Sequence, residues 1–245
     1  MLEDGARPGA SIDMAATEDL FTPIHKGLRS MLYSLSTRLQ TNDFADVAST
    51  EALVTDLEND FAVARSAGCT LCVLAHHATD EEDVIFGPVA RAGGSLVTTL
   101  ISEHHDLTRR EIEIARAAHD LLSTTSAAGR VAAGVRLNQA ANELFAAYVA
   151  HMNREETELV PLMQGQFTDA EMVAMRGTIM ARMPPDRLFA ILGWMLPSLN
   201  VSELSELLTS VAKTAPPPLL KAIAALGAAK VDPVRWSAVK LRTGL

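Results

Sequence analysis

A chain of 245 residues, 48% hydrophobic and 21% charged, carries enough apolar material for one large globular domain or two small ones. Its net charge of −9 and pI of about 5.2 argue against a non-specific phosphate-binding surface, which needs clustered Lys and Arg, so no nucleic-acid partner is expected. No apolar run reaches membrane-spanning length, and no membrane association is expected.

Aromatic residues make up only 4% of the chain, while Ala, Leu, Val and Met dominate; this favours helices over strands. Residues 1–18 are acidic, lack an apolar secretion core and read as a flexible lead-in. A first helix is expected from Asp19 to Gln40, where Leu20, Ile24, Leu28, Leu32 and Leu35 recur at helical spacing. TNDFADVAST breaks it. A second helical stretch runs from Glu51 to Phe86, with an irregularity at Gly68; Gly87 and Pro88 mark its end and RAGG is a turn. The third runs from Ser95 to Leu122, STTSAAG is the next turn, and the fourth runs from Arg130 to Met163. The expectation is an all-α chain: an antiparallel up-and-down four-helix bundle over residues 19–165, followed by a helical extension over 166–245. The extension's short segments, near Asp169–Met183, Asp186–Leu196, Ser202–Lys213 and Pro217–Ala229, are separated by MPPD, LPSLN and APPP. They contain no histidine, and are expected either to pack on the bundle or to serve a protein partner or self-association.

One pattern is written twice. HATDEEDVIFGP, from His77, and HMNREETELVP, from His151, both read His-x3-Glu-Glu followed by apolar residues and Pro; the first has one extra residue, Gly87. Residues four apart on an α-helix lie only about 40° apart around its axis, so His77 and Glu81 share a face, as do His151 and Glu155. The other two helices contain IHKGLR, with His25, and EHHDLTRR, with His104. Borderline divalent and ferric ions accept imidazole and carboxylate together. Four histidines and two glutamates suit two metals better than one, because two metals sharing six donors retain positions for an oxo bridge, water or a small diatomic molecule.

These four motifs, in this order, resemble the bacterial hemerythrin-like (HHE cation-binding) domain. The resemblance covers roughly Asp19 to Met163. It implies a four-helix bundle with two non-haem irons per chain, oxo- or hydroxo-bridged. The implied ligands are His25, His77, Glu81, His104, His151 and Glu155, with the glutamates bridging. The chain departs from the animal oxygen carriers, which place two histidines four apart on the third helix; here Leu100 and Thr108 flank His104 at that spacing. Simple reversible oxygen carriage is therefore not expected. One iron is left with an open position, or with another donor such as Tyr148, three residues before His151. Similar bacterial proteins are linked to peroxide breakdown and to oxygen or nitric oxide responses.

The remaining candidates receive plainer readings. His76 and His105 lie about 100° around the helix from the neighbouring candidate ligand, which suits hydrogen bonding around a site better than ligation. His119 stands outside the pattern. Glu82, Asp83 and Glu156 read as a solvated face. Cys69, Cys72 and His76 share one stripe, but no second Cys pair completes a zinc site, so the cysteines read as small buried residues in a reducing cytoplasm. Met152, Met163, Met172 and Met175 read as core filler, and Trp194 as a packing anchor. Two functions follow: a redox protein that binds or turns over peroxide, oxygen or nitric oxide, catalase-like in its sharpest form, and a sensor of iron or oxidant signalling through the C-terminal helices.

Overall fold

The computed structural model describes residues 18–61 and 73–244. Residues 1–17 of the expected lead-in, the irregularity at Gly68, and Cys69 and Cys72 lie outside the described residues. Regular structure among the described residues is helical throughout.

Helix α1 (Thr22–Thr41) starts where Asp19 Oδ1 accepts the amides of Phe21 and Thr22, at 2.9 and 3.0 Å, with Pro23 in its first turn. One stripe of it, His25, Leu28, Leu32, Leu35 and Leu39, is buried. Helices α2 (Val47–Phe61) and α3 (Val73–Asp80) form the next stretch. At Glu81 the chain widens into a π-helical segment, Glu81–Phe86, and passes directly into α4 (Gly87–Ser123). A second π segment, Glu155–Leu159, joins α5 (Ala127–Arg154) to α6 (Val160–Gln166).

The expected helix end at Gly87 and Pro88 is not there. Gly87 is helical (φ −59°, ψ −52°), and the break falls at Gly93 (φ −129°, ψ 43°), inside RAGG. The two π segments supply the reason. A proline has no N–H to give its i−4 carbonyl, and its ring clashes with that carbonyl. For Pro88 the carbonyl belongs to Val84, for Pro161 to Thr157, and each lies inside a π segment. The wider turn takes up the misfit without ending the helix. The duplicated Glu-Glu-to-Pro spacing thus encodes a local widening that begins at the glutamate of each His-x3-Glu pair.

The C-terminal region consists of α7 (Asp169–Arg182), α8 (Pro185–Ser198), α9 (Val201–Thr214), α10 (Pro217–Lys230) and α11 (Pro233–Thr243). Thr168 with Glu171, and Asn200 with Glu203, form reciprocal capping boxes at α7 and α9. Helix α11 was not expected from periodicity, although its start is signalled: Asp232 accepts the amides of Val234 and Arg235, and Pro233 opens the helix.

Three apolar clusters hold the described residues together. The largest includes Leu28, Leu32, Leu74, Leu107, Leu144 and Met152. A second, with Phe21, Phe86, Leu100, Leu159 and Met163, lies beyond it, and a third, with Leu204, Leu208 and Trp236, binds the C-terminal helices to one another. Helix α8 joins the third to the first: Ile191 is buried in the first, Leu192 and Leu196 in the third. It packs along α1, where a β-carbon at Gly27 would stand 3.0 Å from the Met195 backbone. Of the two expectations for the extension, the structure realises packing on the preceding helices. Among the described residues, no helix is long and apolar enough to cross a membrane.

Candidate metal centre

A polar layer lies between the first two apolar clusters, and each chain segment crosses it in turn. On α1, His25 falls between Phe21 of the second cluster and Leu28 of the first. Glu81 falls between Leu74 and Val84, His104 between Leu100 and Leu107, and the His151–Glu155 pair between Tyr148 and Leu159. Each step is three to seven residues, so ordinary helical spacing carries four segments from one apolar layer to the other and leaves a ring of ionisable groups at one level. These groups are deeply buried: His25 and Glu155 are 0% exposed, Glu81 1%, and His104 and His151 3%. His77 is the least covered, with 10% of its side chain exposed.

The six side chains form two groups that share both carboxylates. His25, His77, Glu81 and Glu155 have ligand atoms within 4.8 Å of one another, and so do Glu81, His104, His151 and Glu155. Each carboxylate spans both groups, one oxygen to each. Glu81 Oε1 faces His77 Nε2 at 2.9 Å, and its Oε2 faces His104 Nε2 at 3.3 Å. Glu155 Oε2 faces His25 Nε2 and its Oε1 faces His151 Nε2, both at 3.3 Å. The rings pair accordingly, His25 with His77 at 5.2 Å between centroids and His104 with His151 at 4.6 Å.

Three of the imidazoles are held from behind. His25 Nδ1 donates to Glu156 Oε1 at 3.0 Å, His104 Nδ1 to Glu82 Oε1 at 2.7 Å, and His151 Nδ1 to Glu103 Oε2 at 2.8 Å. Arg29 Nη1 also donates to Glu156 at 2.8 Å, and Arg154 Nε pairs with Glu103 at 2.9 Å. Placing the proton on Nδ1 leaves the Nε2 lone pair pointing inward, and such outer carboxylates set ring orientation at histidine metal sites. The hemerythrin HHE cation-binding domain model matches residues 18–163. The chain belongs to that family. No curated protein and no solved structure matches the chain.

Membership of the hemerythrin HHE family implies binding of a metal cation, and the residues present fit one. Both oxygens of Glu81, both of Glu155 and His151 Nε2 are buried without a hydrogen-bond partner. His25 Nε2 and His77 Nε2 face each other at 3.2 Å, two ring nitrogens aimed at the same space. A buried carboxylate with unsatisfied oxygens is costly, and a bound cation removes that cost. Without a cation, protons must serve. Burial works against the His25 cation, but Glu155, Glu156 and Glu81 outweigh it and hold the imidazole at about 10. Burial likewise opposes the His104 cation, while Glu81 and Glu82 lift it to about 9. Burial raises the Glu81 carboxyl, yet His77, His104 and His25 hold it well below the usual range. A metal entering the HHE centre therefore displaces protons from inward ring nitrogens.

The other candidates separate clearly. His105 and His119 are exposed on α4, and His76 is half-buried; none belongs to either group. Glu82 and Glu156 are not merely a solvated face, because each holds a ring nitrogen, whereas exposed Asp83 pairs with Arg182 at 3.2 Å. Glu103 was missed altogether. All three orienting glutamates are sequence neighbours of a candidate ligand: Glu81–Glu82, Glu103–His104 and Glu155–Glu156. Tyr148 is buried with its ring edge-on to His151, and its hydroxyl donates to the Leu74 carbonyl at 3.3 Å.

Proposed function

We propose that residues 19–165 form an antiparallel four-helix bundle around a dinuclear iron centre, and that this centre reacts with a small oxidant such as peroxide, oxygen or nitric oxide. One iron would be held by His25 and His77, the other by His104 and His151, with Glu81 and Glu155 bridging. The carrying observation is that each buried carboxylate divides its two oxygens between two histidine pairs. A single cation gives no reason for that division.

When bound, an iron pair supplies Lewis acidity and redox capacity for peroxide or dioxygen chemistry. The chain supplies the rest. Glu82, Glu103 and Glu156 keep three rings in the tautomer that presents Nε2 inward. Phe86 stacks on His104 with 5.4 Å between centroids, and Phe21 meets His25 edge-on at 5.6 Å, so both rings are braced by apolar surface. The apolar layers above and below exclude bulk water, and His77 marks the least covered side for a small ligand.

A second reading, in which the C-terminal helices relay the state of the centre, is supported by the packing of α8 against α1 and α3. Metal analysis with an optical spectrum of the iron-loaded chain tests the first claim. Two irons per chain are expected, with oxo-type near-ultraviolet absorption; recovery of no more than one overturns the dinuclear reading. Oxygen evolution from hydrogen peroxide then tests for turnover.

A further inference from the structure

The C-terminal helices carry none of the six candidate ligands, yet four of their contacts with the preceding segments fall on ligand neighbours. Lys26, next to His25, pairs with Glu203 of α9. Gly27, two residues from His25, meets the Met195 backbone of α8. Asp83, two residues after Glu81, pairs with Arg182 of α7. Asp80, immediately before Glu81 and three residues after His77, pairs with Arg187 of α8. The last contact differs in kind, because Asp80 is 9% exposed and Arg187 only 5%.

We infer that Arg187 is a positioning residue of the centre, acting through Asp80 to hold His77 and Glu81 in place. This rests on the dinuclear reading above. Asp80 is the last residue of α3, at the junction where the α ladder opens into the π segment. The backbone at that junction sets the direction of both Glu81 and, one turn back, His77. A buried ion pair is a poor source of net stability, since desolvation cancels most of its attraction. It does impose geometry: Asp80 can satisfy its charge only if α3 and α8 keep one relative position. Every contact named above falls on α1, α3 or the first π segment, which carry His25, His77 and Glu81. None falls on α4 or α5, which carry His104 and His151. The strap therefore bears on one metal position more than the other.

The test is iron release from the full chain. Ferrous-loaded protein is mixed anaerobically with excess chelator, and the released iron is followed in time. Arg187→Met should speed release of one iron per chain about tenfold, the lower end of what outer-shell changes cost a metal site, and leave the other near the parent rate. Asp80→Asn should give the same biphasic release, the double variant should be no faster than either, and Arg187→Lys should recover part of the parent rate. Leu208→Ala, which loosens the third apolar cluster without touching Asp80, is the control for general loosening. Release of both irons at equally raised rates, or the same profile from Leu208→Ala, overturns the positioning role. So does a parent rate in Arg187→Met when the parent holds two irons. A parent chain that holds no more than one iron overturns the dinuclear reading itself.

Discussion

Replacing Glu156 by alanine removes the carboxylate that accepts from His25 Nδ1, and its cost can be worked from two sides. His25 is 0% exposed, so its Nδ1–H loses an acceptor at 3.0 Å where water does not readily replace it. A buried donor left unsatisfied costs roughly 1–3 kcal/mol. Independently, loss of a carboxylate behind a metal-binding histidine weakens metal affinity about 10- to 100-fold, which is about 1.4–2.7 kcal/mol. The two ranges agree. Arg29 shares the Glu156 carboxylate and already neutralises part of its charge, which places the expected loss near tenfold. With metal in excess the melting temperature should fall by about 3–5 °C, at roughly 2–4 °C per kcal/mol for a chain of this size. The assay is competition against a chelator of known affinity, alongside thermal melts with and without metal. Glu156→Gln, which keeps an acceptor, should recover part of the loss. Glu158→Ala is the control: its side chain is 51% exposed and pairs with Arg154 at 3.4 Å, away from the rings. If Glu156→Ala and Glu158→Ala bind metal equally well, the orienting role assigned to the outer carboxylates is wrong.

His77→Ala and His151→Ala should each lower metal content and the melting temperature of the loaded protein together, whereas His119→Ala, on the exposed side of α4, should change neither; equal effects in all three would misplace the centre. Tyr148→Phe should cost about 0.5–1.5 kcal/mol, the worth of one neutral hydrogen bond, and leave iron content and the visible spectrum as they were. A tyrosinate band that vanished with the substitution would put the hydroxyl on the metal rather than on the Leu74 carbonyl. Burial lifts the Glu203 carboxyl, but Lys26 and the Asn200 amide outweigh it and hold it below its ordinary 4.5. A depressed carboxyl stabilises the fold above its unfolded value and loses that contribution as pH falls through the folded one. Glu203→Gln should therefore melt below the parent at neutral pH, with the gap closing below pH 4.5; a gap constant from pH 7 to 3 would show that the charge is idle.

Much of the centre is written in short-range order. Residues four apart share a helix face whatever surrounds them, so His77 with Glu81 and His151 with Glu155 could be paired from spacing alone, and His25 and His104 followed from the family pattern. Helical character was equally legible, since the apolar period of α1 is a property of the chain itself. What spacing could not show was which carboxylate meets which ring. Glu82, Glu103 and Glu156 look like ordinary surface acids in sequence, and each acquires its role only from a neighbouring helix: His104 on α4 for Glu82, His151 on α5 for Glu103, His25 on α1 for Glu156. The π segments were hidden for a related reason. Gly87 and Pro88 carry the ordinary signs of a helix end, but the packing of Phe86, Val89 and Leu100 keeps the helix going, and the strain at proline goes into a wider turn. The docking of α8 is likewise tertiary. Nothing local marks Arg187 as buried, because a charge enters the interior only when a partner such as Asp80, 107 residues earlier, is already waiting there.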